Sequence, residues 1–190
     1  ILRFKKENPE FDLLPMTYAG RLDPMAEGLL LILSGDSIKD KEQYLNLPKT
    51  YEAEIIWGFE TDTLDLLGLT AFPKTVFGKA VGEEVIKEYF RKAKGRFEQV
   101  YPMYSSKPVL GKPLFQWARE GRVNEIEIPK HEVEIFENNF IDRRTISGSE
   151  LLKEIIKRVS LVKGDFRQEE IIKKWEEVLE NKKSEEFIID

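Results

Sequence analysis

The sequence predicts an α+β fold, and three observations carry that reading. Between residues 28 and 136, short apolar or alternating runs have the length and β-former content of strands. Two amphipathic stretches then follow one another in residues 137–184 and read as helices, so the chain combines strands with helices. The 190 residues, 41% of them hydrophobic, are enough to build a real core.

Residues 1–15 carry the segment RFKKENPEF, read as the end of a helix stopped near Pro9. Gly28–Leu33 is a continuous apolar run, predicted as a buried strand. The polar stretch SGDSIKDKEQYL follows, with Ile38, Tyr44 and Leu45 spaced for a short helix. Partial alternation in KTYEAEIIWGF predicts a strand over Thr50–Trp57. Gly82–Gly95 reads as a helix with Val85, Ile86, Tyr89, Phe90 and Ala93 on one face and Gly95 as its stop. RFEQVYP is a short strand leading to Pro102, and GKPLFQWAREG a compact helix with proline in its first turn. VNEIEIPKHEVEIF alternates as two strand pieces broken at Pro129.

From residue 137 the character changes. SGSELLKEIIKRV has Ser147 and Glu150 at capping-box spacing, with Leu151, Leu152, Ile155, Ile156 and Val159 on one stripe. DFRQEEIIKKWEEVL repeats the pattern with Asp165 and Gln168, and turns Ile171, Ile172, Trp175, Val178 and Leu179 inward. These helices read as an insertion over 137–184, between a strand ending near Phe136 and another starting near Glu186. The chain begins at Ile1 and ends on EEFIID, so both ends read as the edges of a fragment.

Composition narrows the chemistry. Charged residues reach 34%, with 30 Lys plus Arg against 35 Asp plus Glu for a net charge of −5. That balance argues against a generally basic coat for nucleic acid and leaves room for a local basic groove. With no cysteine, disulfides, thiolate zinc sites and a cysteine nucleophile are excluded, as suits a reducing cytosol. The longest apolar run, Leu29–Leu33, is far too short to span a bilayer. His131 is the only histidine and reads as a solvated strand residue, which leaves no Ser-His-Asp system and no histidine-rich metal site. Asp62 and Asp65 in TDTLD are read as turn or cap residues rather than cation ligands, since no calcium-loop spacing surrounds them. No phosphate-cradling glycine motif is present.

MTYAGRLDPMAEGLLLIL, residues 16–33, is the stretch that points to a reaction. Pro24 biases Asp23 toward extended geometry, Gly20 and Gly28 permit close backbone approach, and the following strand would anchor the turn. On the residues alone, Asp23 is either a structural turn aspartate or an acid held ready to react.

YAGRLDPMAEGLLLIL resembles the H-x-G-[TA]-L-D-P-x-A-x-G-x-L signature of the TruB family of pseudouridine synthases. KTYEAEIIWGFETDTLDLLG, residues 49–68, is similar to that family's K-x-Y…G-x-x-T-D-T-x-D-x-x-G. QVYPMYSSKPVLGKPLFQWAREG, residues 99–121, is similar to its Q-x-P-P-x-Y-S-A-x-K…G-x-x-L-Y-x-x-A-R-x-G. The three blocks stand in the family's order and cover about 100 residues, which makes the set far more specific than a lone L-D-P.

The resemblance implies a pseudouridine synthase fold, a mixed, mainly antiparallel sheet flanked by helices and loops. Residues 1–136 would then be the catalytic core, 137–184 the helical insertion, and 185–190 the start of a returning core strand. It implies an isomerase that turns a T-arm loop uridine of tRNA, of the position 55 type, into pseudouridine. No cofactor or metal is implied, and the expected protein is a cytoplasmic monomer that flips its uridine out of the loop. The family's essential aspartate falls on Asp23, as nucleophile at the sugar or as the base that deprotonates it. Tyr51 falls on the tyrosine that stacks on the flipped base and is implicated in C5 proton removal. Tyr18, Gly20, Arg21, Lys49, Tyr104 and Lys107 are the expected substrate contacts; Lys112 and Arg119 would touch phosphate or support the fold. Thr61, Asp62, Thr63 and Asp65 would organise a loop beside the site.

Departures accompany the match. Tyr18 stands where the family has histidine, Arg21 where it has threonine or alanine, and Pro108 where it has a second lysine. The G-T-Y-[IV]-R block, whose arginine keeps the catalytic carboxylate ionised, is missing. Arg167 in KGDFRQE is one candidate for it, but Asp165 reads as a helix start, so the block is expected beyond Asp190. The D-K-P-x-G block is expected before residue 1, and the PUA-type RNA-binding domain of many relatives is not in these residues. The alternatives are an RNA-binding, tRNA-folding relative without catalysis, an inactive fragment, or a hydrolase pairing Asp23 with Glu27.

Overall fold

The computed structural model describes residues 1–71 and 81–190. The chain divides into two compact units, Ile1–Ala53 with Ser160–Gly164, and Glu54–Val159 with Asp165–Asp190. Every described strand pair is antiparallel and two-stranded, with helices between them, so the α+β class holds. No helix among the described residues is long and apolar enough to cross a membrane.

In the first unit, α1 (Leu2–Glu7) stops before Pro9, as predicted. The Asn8 side chain donates to the Phe4 carbonyl at 2.8 Å and closes the helix end. β1 (Met16–Ala19) pairs with β2 (Leu31–Ser34), from Met16 opposite Ser34 to Ala19 opposite Leu31. β2 is shorter than the predicted strand and is not buried along its length. Leu33 is buried, whereas Leu29 is fully exposed and Leu30 and Leu31 are more than two-fifths exposed. Apolar content alone buries nothing: among the described residues β2 has only β1 beside it, and a two-stranded ribbon has little with which to cover a face. A 3₁₀ turn over Gly35–Asp40 then leads into α2 (Lys41–Leu45), which is the short helix expected from Ile38, Tyr44 and Leu45.

The second unit opens with a correction. Thr50–Trp57 does not form a strand; pairing is confined to a bridge between Ile56 and Ile189. Ile55 and Asp190 exchange backbone bonds of 2.8 and 3.1 Å there. The alternation in KTYEAE finds no partner strand among the described residues, and strand propensity needs one to act. β3 (Glu60–Thr61) pairs with β4 (Thr70–Ala71) and frames the TDTLDLLG loop. α3 (Glu83–Ala93) forms as predicted but buries a narrower stripe: Ile86 is buried, while Val85 and Tyr89 are 61% and 72% exposed.

β5 (Gly95–Val100) pairs with a later strand, introduced below. β6 (Pro108–Val109) and β7 (Lys112–Pro113) form a tight hairpin whose tip residues, Leu110 and Gly111, both have positive φ. α4 (Leu114–Arg119) starts directly after Pro113, which is its N-cap. Of the two strand pieces predicted in 123–136, only the second exists. Val123–Glu125 is instead a 3₁₀ turn, drawn tight by the Arg122–Glu125 ion pair at 2.7 Å. β8 (Lys130–Ile135) is the partner of β5, in register from Val100 opposite Lys130 to Gly95 opposite Ile135.

β9 (Arg144–Ser147) was not anticipated inside the helical stretch. α5 (Gly148–Leu161) and α6 (Gln168–Leu179) follow it, and β10 (Glu186–Ile189) returns to pair with it. The Ser147–Glu150 capping box forms, each backbone N–H meeting the other side chain at 3.3 Å. The second box does not: Arg167, not Asp165, precedes α6, and the Gln168 side chain accepts from Phe166 N–H at 3.0 Å. Gly148 is required by space, because an added Cβ would run into the Lys182 carbonyl oxygen and lie 3.2 Å from the Phe187 ring.

The deepest core of this unit is helical. Leu151, Ile155, Val159, Ile171, Trp175 and Leu179 are at most 1% exposed. The Phe59 ring sits 4.9 Å from Trp175 and 5.0 Å from Phe187, joining α6 to β10. Each such side chain contributes about 1.5–3 kcal/mol by leaving water. At the edge, Asp190 accepts from Arg143 Nε at 2.5 Å, Arg143 Nη2 at 2.7 Å and Trp57 Nε1 at 2.8 Å. The Arg143 hydrogen bonds hold the Asp190 carboxyl below the usual aspartate range, against the opposing effect of burial.

Candidate active site

The candidate residues fall in both units: Tyr18, Gly20, Arg21, Asp23, Lys49 and Tyr51 in the first, Tyr104 and Lys107 in the second. In the first unit, β1 ends at Ala19 and Gly20 turns the chain with φ +92°, a conformation that a side chain would strain. Asp23 lies in the loop that joins the two strands of the hairpin. Its carbonyl accepts from Ala26 N–H at 2.9 Å, so the turn after Pro24 closes on the backbone of Asp23 and leaves the carboxylate outside that bond. The side chain is exposed, as are Arg21 and Pro24. The hairpin therefore gathers Tyr18, Gly20, Arg21 and Asp23 at one end of β1, anchored through Leu33.

Tyr51 is 80% exposed, with its ring free to meet a planar partner. Lys49 points back instead: its ammonium donates to the carbonyls of Leu45 and Leu47, both at 2.7 Å, and caps the end of α2.

In the second unit, residues 101–107 fold as a cap on α4. The carbonyls of Ser105 and Lys107 accept from Phe115 and Leu114 N–H at 3.1 and 2.9 Å, satisfying donors that a helix start leaves open. The Lys107 ammonium lies 5.1 Å from the Tyr101 ring, which in turn stacks on His131 at 4.2 Å. His131 is thus half-buried under Tyr101 rather than solvated, with Nδ1 buried and without a hydrogen-bond partner among the described residues. Lys112 stands 3.8 Å over Trp117 and 2.6 Å from Glu120; Arg119 donates to the Asp165 carbonyl at 3.4 Å. Among the described residues, Arg21 and Lys107 have no carboxylate partner.

The TDTLDLLG loop is closed on itself. Thr61 Oγ1 donates to the Asp65 carbonyl at 2.8 Å, Thr63 Oγ1 to Asp65 Oδ1 at 2.6 Å, and Leu67 N–H to the same oxygen at 2.9 Å. Asp62 Oδ1 accepts Leu69 N–H at 2.8 Å. Gly68 is forced by packing, since a Cβ there would meet the Thr63 hydroxyl and lie 2.7 Å from Asp62 Oδ1. Both aspartates therefore serve the turn, as their spacing predicted. The other Asp62 oxygen reaches outward to Arg167 Nη2 at 3.2 Å. The Arg167 guanidinium also lies 5.4 Å from the Tyr104 ring. Burial, then the neighbouring Asp62 carboxylate, pushes the Tyr104 hydroxyl above its ordinary range, with Arg167 opposing. Arg167 thus has a carboxylate partner, Asp62, that no spacing in the sequence could have named.

This chain is similar to proteins called tRNA pseudouridine synthase B. It is 38% identical over 113 residues to that of Caldicellulosiruptor saccharolyticus, an alignment covering 60% of this chain and 38% of the relative. For Bacillus velezensis the identity is 42% over 118 residues, 62% of this chain and 37% of the relative. For Bordetella avium it is 39% over 119 residues, 63% of this chain and 48% of the relative. The chain thus spans less than half the length of these relatives. A family profile described as TruB family pseudouridylate synthase (N terminal domain) matches residues 11–164, most of the sequence, and the chain belongs to that family.

Proposed function

We propose that this chain carries the catalytic aspartate of a tRNA pseudouridine synthase acting on a T-arm loop uridine of the position 55 type. The observation that supports it best is the family match over 11–164, which takes in Asp23, Tyr51, the TDTLDLLG loop and the Tyr104–Lys107 segment together. Asp23 is exposed on a hairpin loop, with Gly20 leaving open space beside the backbone, as suits a group that must meet a large substrate.

In this reading the N1–C1′ bond of the uridine breaks and a C5–C1′ bond forms. The proton leaves C5, N1 gains one, and the RNA keeps its composition. Asp23 attacks the sugar or removes its proton, and either route uses a carboxylate to manage charge at the anomeric carbon. Tyr51 stacks on the extruded uracil, a contact worth about 1–3 kcal/mol, and takes part in removing the C5 proton. Tyr18 stands for the family histidine, and Arg21, Tyr104 and Lys107 meet the RNA; Lys49, expected to do the same, holds the end of α2 in this structure. No cofactor or metal is needed, and the protein works as a cytoplasmic monomer. Residues 1–136 form the catalytic core, and 137–184 are a helical insertion whose two helices leave from and return to the β9–β10 pair.

The test is to incubate the intact protein with a T-arm stem-loop RNA at increasing salt. The reading predicts pseudouridine at one loop position and binding that weakens steeply with salt, because phosphates are neutralised locally. Salt-sensitive binding without conversion would instead mark a tRNA-folding relative.

A further inference from the structure

Arg167 holds a backbone conformation that needs an explanation. Its φ of 61° and ψ of 30° place it in the left-handed region, which side-chain-bearing residues seldom occupy at a helix start. The turn that carries it is tied at several points. Phe166 N–H donates to Gln168 Oε1 at 3.0 Å, Arg119 to the Asp165 carbonyl at 3.4 Å, and Ile171 N–H to the Arg167 carbonyl at 3.0 Å. The conformation directs the guanidinium onto Asp62 at 3.2 Å and onto the Tyr104 ring, and away from a plain N-cap role. The Arg167 and Asp62 side chains are 23% and 31% exposed, so the cluster lies near the surface rather than in the core.

Three distant pieces of sequence meet here: the TDTLDLLG loop, the Tyr104–Lys107 segment, and the turn between the two helices of 137–184. Asp62 is already fixed from its own loop through Leu69, so it is a rigid anchor for the arginine. Arg167 then spans from that anchor to Tyr104 on the segment that bears Lys107.

We propose that Arg167 is a positioning residue: by clamping Tyr104 to Asp62 it sets the Tyr104–Lys107 segment for RNA, and so gives the helices of 137–184 a part in substrate binding. The inference rests on the function proposed above. A planar guanidinium suits the task, since one edge can meet a carboxylate while its face covers a ring.

The test compares Arg167→Gly, Arg167→Gln and Arg167→Lys in the intact protein, measuring melting temperature, dissociation constant for the T-arm stem-loop, and the single-turnover conversion rate. Glycine suits the left-handed turn, so Arg167→Gly removes the clamp without straining the fold. The proposal expects Arg167→Gly and Arg167→Gln to weaken RNA binding by about tenfold, the size of one charge-assisted contact, with conversion of bound RNA changed far less. Arg167→Lys should recover most of the binding, and the Tyr104 hydroxyl should titrate at higher pH in Arg167→Gln than in the parent. A folded Arg167→Gly that binds RNA within twofold of the parent overturns the proposal while leaving the function intact. A parent protein that neither binds nor converts the RNA overturns both.

Discussion

Two loops of this molecule, each built around an aspartate, are held in opposite ways. The TDTLDLLG loop is tied to itself: both aspartates accept a backbone N–H, both threonines donate to Asp65, and Gly68 leaves no room for a Cβ. The loop bearing Asp23 has one internal backbone bond, from Ala26, and its carboxylate makes no hydrogen bond among the described residues. The difference separates a closed turn from an open one. A carboxylate that accepts an N–H from its own turn is held in place by it, whereas the Asp23 carboxylate is exposed and untied. A turn that stores its acid this way depends on its strands for position.

The largest effect should come from breaking a buried pair outside both loops, which sets the scale. Arg143→Ala leaves Asp190, 4% exposed in its side chain, without its ion partner. The expected loss is about 3 kcal/mol in urea unfolding. The same pair predicts an acid dependence. The folded pKa of Asp190 is lowered, so its contribution is fully present above the ordinary aspartate value near pH 4 and is lost as pH falls through the folded value. The Arg143→Ala variant should lose that part of the acid sensitivity.

Glycine substitutions then compare the loops directly. Gly68→Ala forces atoms apart and should cost about 2–3 kcal/mol. Gly20→Ala meets open space and suffers only from its positive φ, so about 1 kcal/mol is expected. Equal costs would mean that the Asp23 loop is packed as tightly as the other. The smallest stability effect belongs to Tyr51→Phe, which at 80% exposure should shift unfolding by less than about 0.5 kcal/mol. Its conversion rate should nevertheless fall while RNA binding is kept; an unimpaired rate would reduce the hydroxyl to a bystander.

How much of this was legible in the sequence depended on the range of the interactions. The Ser147–Glu150 box and the stripes of α5 and α6 are local, and the structure has them. The loop role of Asp62 and Asp65 was also readable, because its partners lie within a few residues. Strands failed where pairing decided. KTYEAE has the alternation but no partner among the described residues, while RTIS, four residues with a charge and two hydroxyls, forms β9 because EFII returns to meet it. His131 looked solvated because its cover, Tyr101, sits across the β5–β8 register. The spacing around Arg167 fits the missing motif poorly and names no other partner; only the fold brings it to Asp62, 105 positions away. The turn around Asp23 was readable from Gly20 and Pro24, but the buried strand expected to anchor it is largely exposed, with Leu33 as its buried residue.

The account stands on Asp23. The most direct measurement is the product formed from a T-arm stem-loop by the intact protein and by its Asp23→Asn variant, with the RNA weighed and its nucleosides separated. The account predicts pseudouridine with unchanged RNA mass and no free uracil from the parent protein, and none from a folded Asp23→Asn that still binds. Pseudouridine made by Asp23→Asn, or uracil released by the parent, would contradict it.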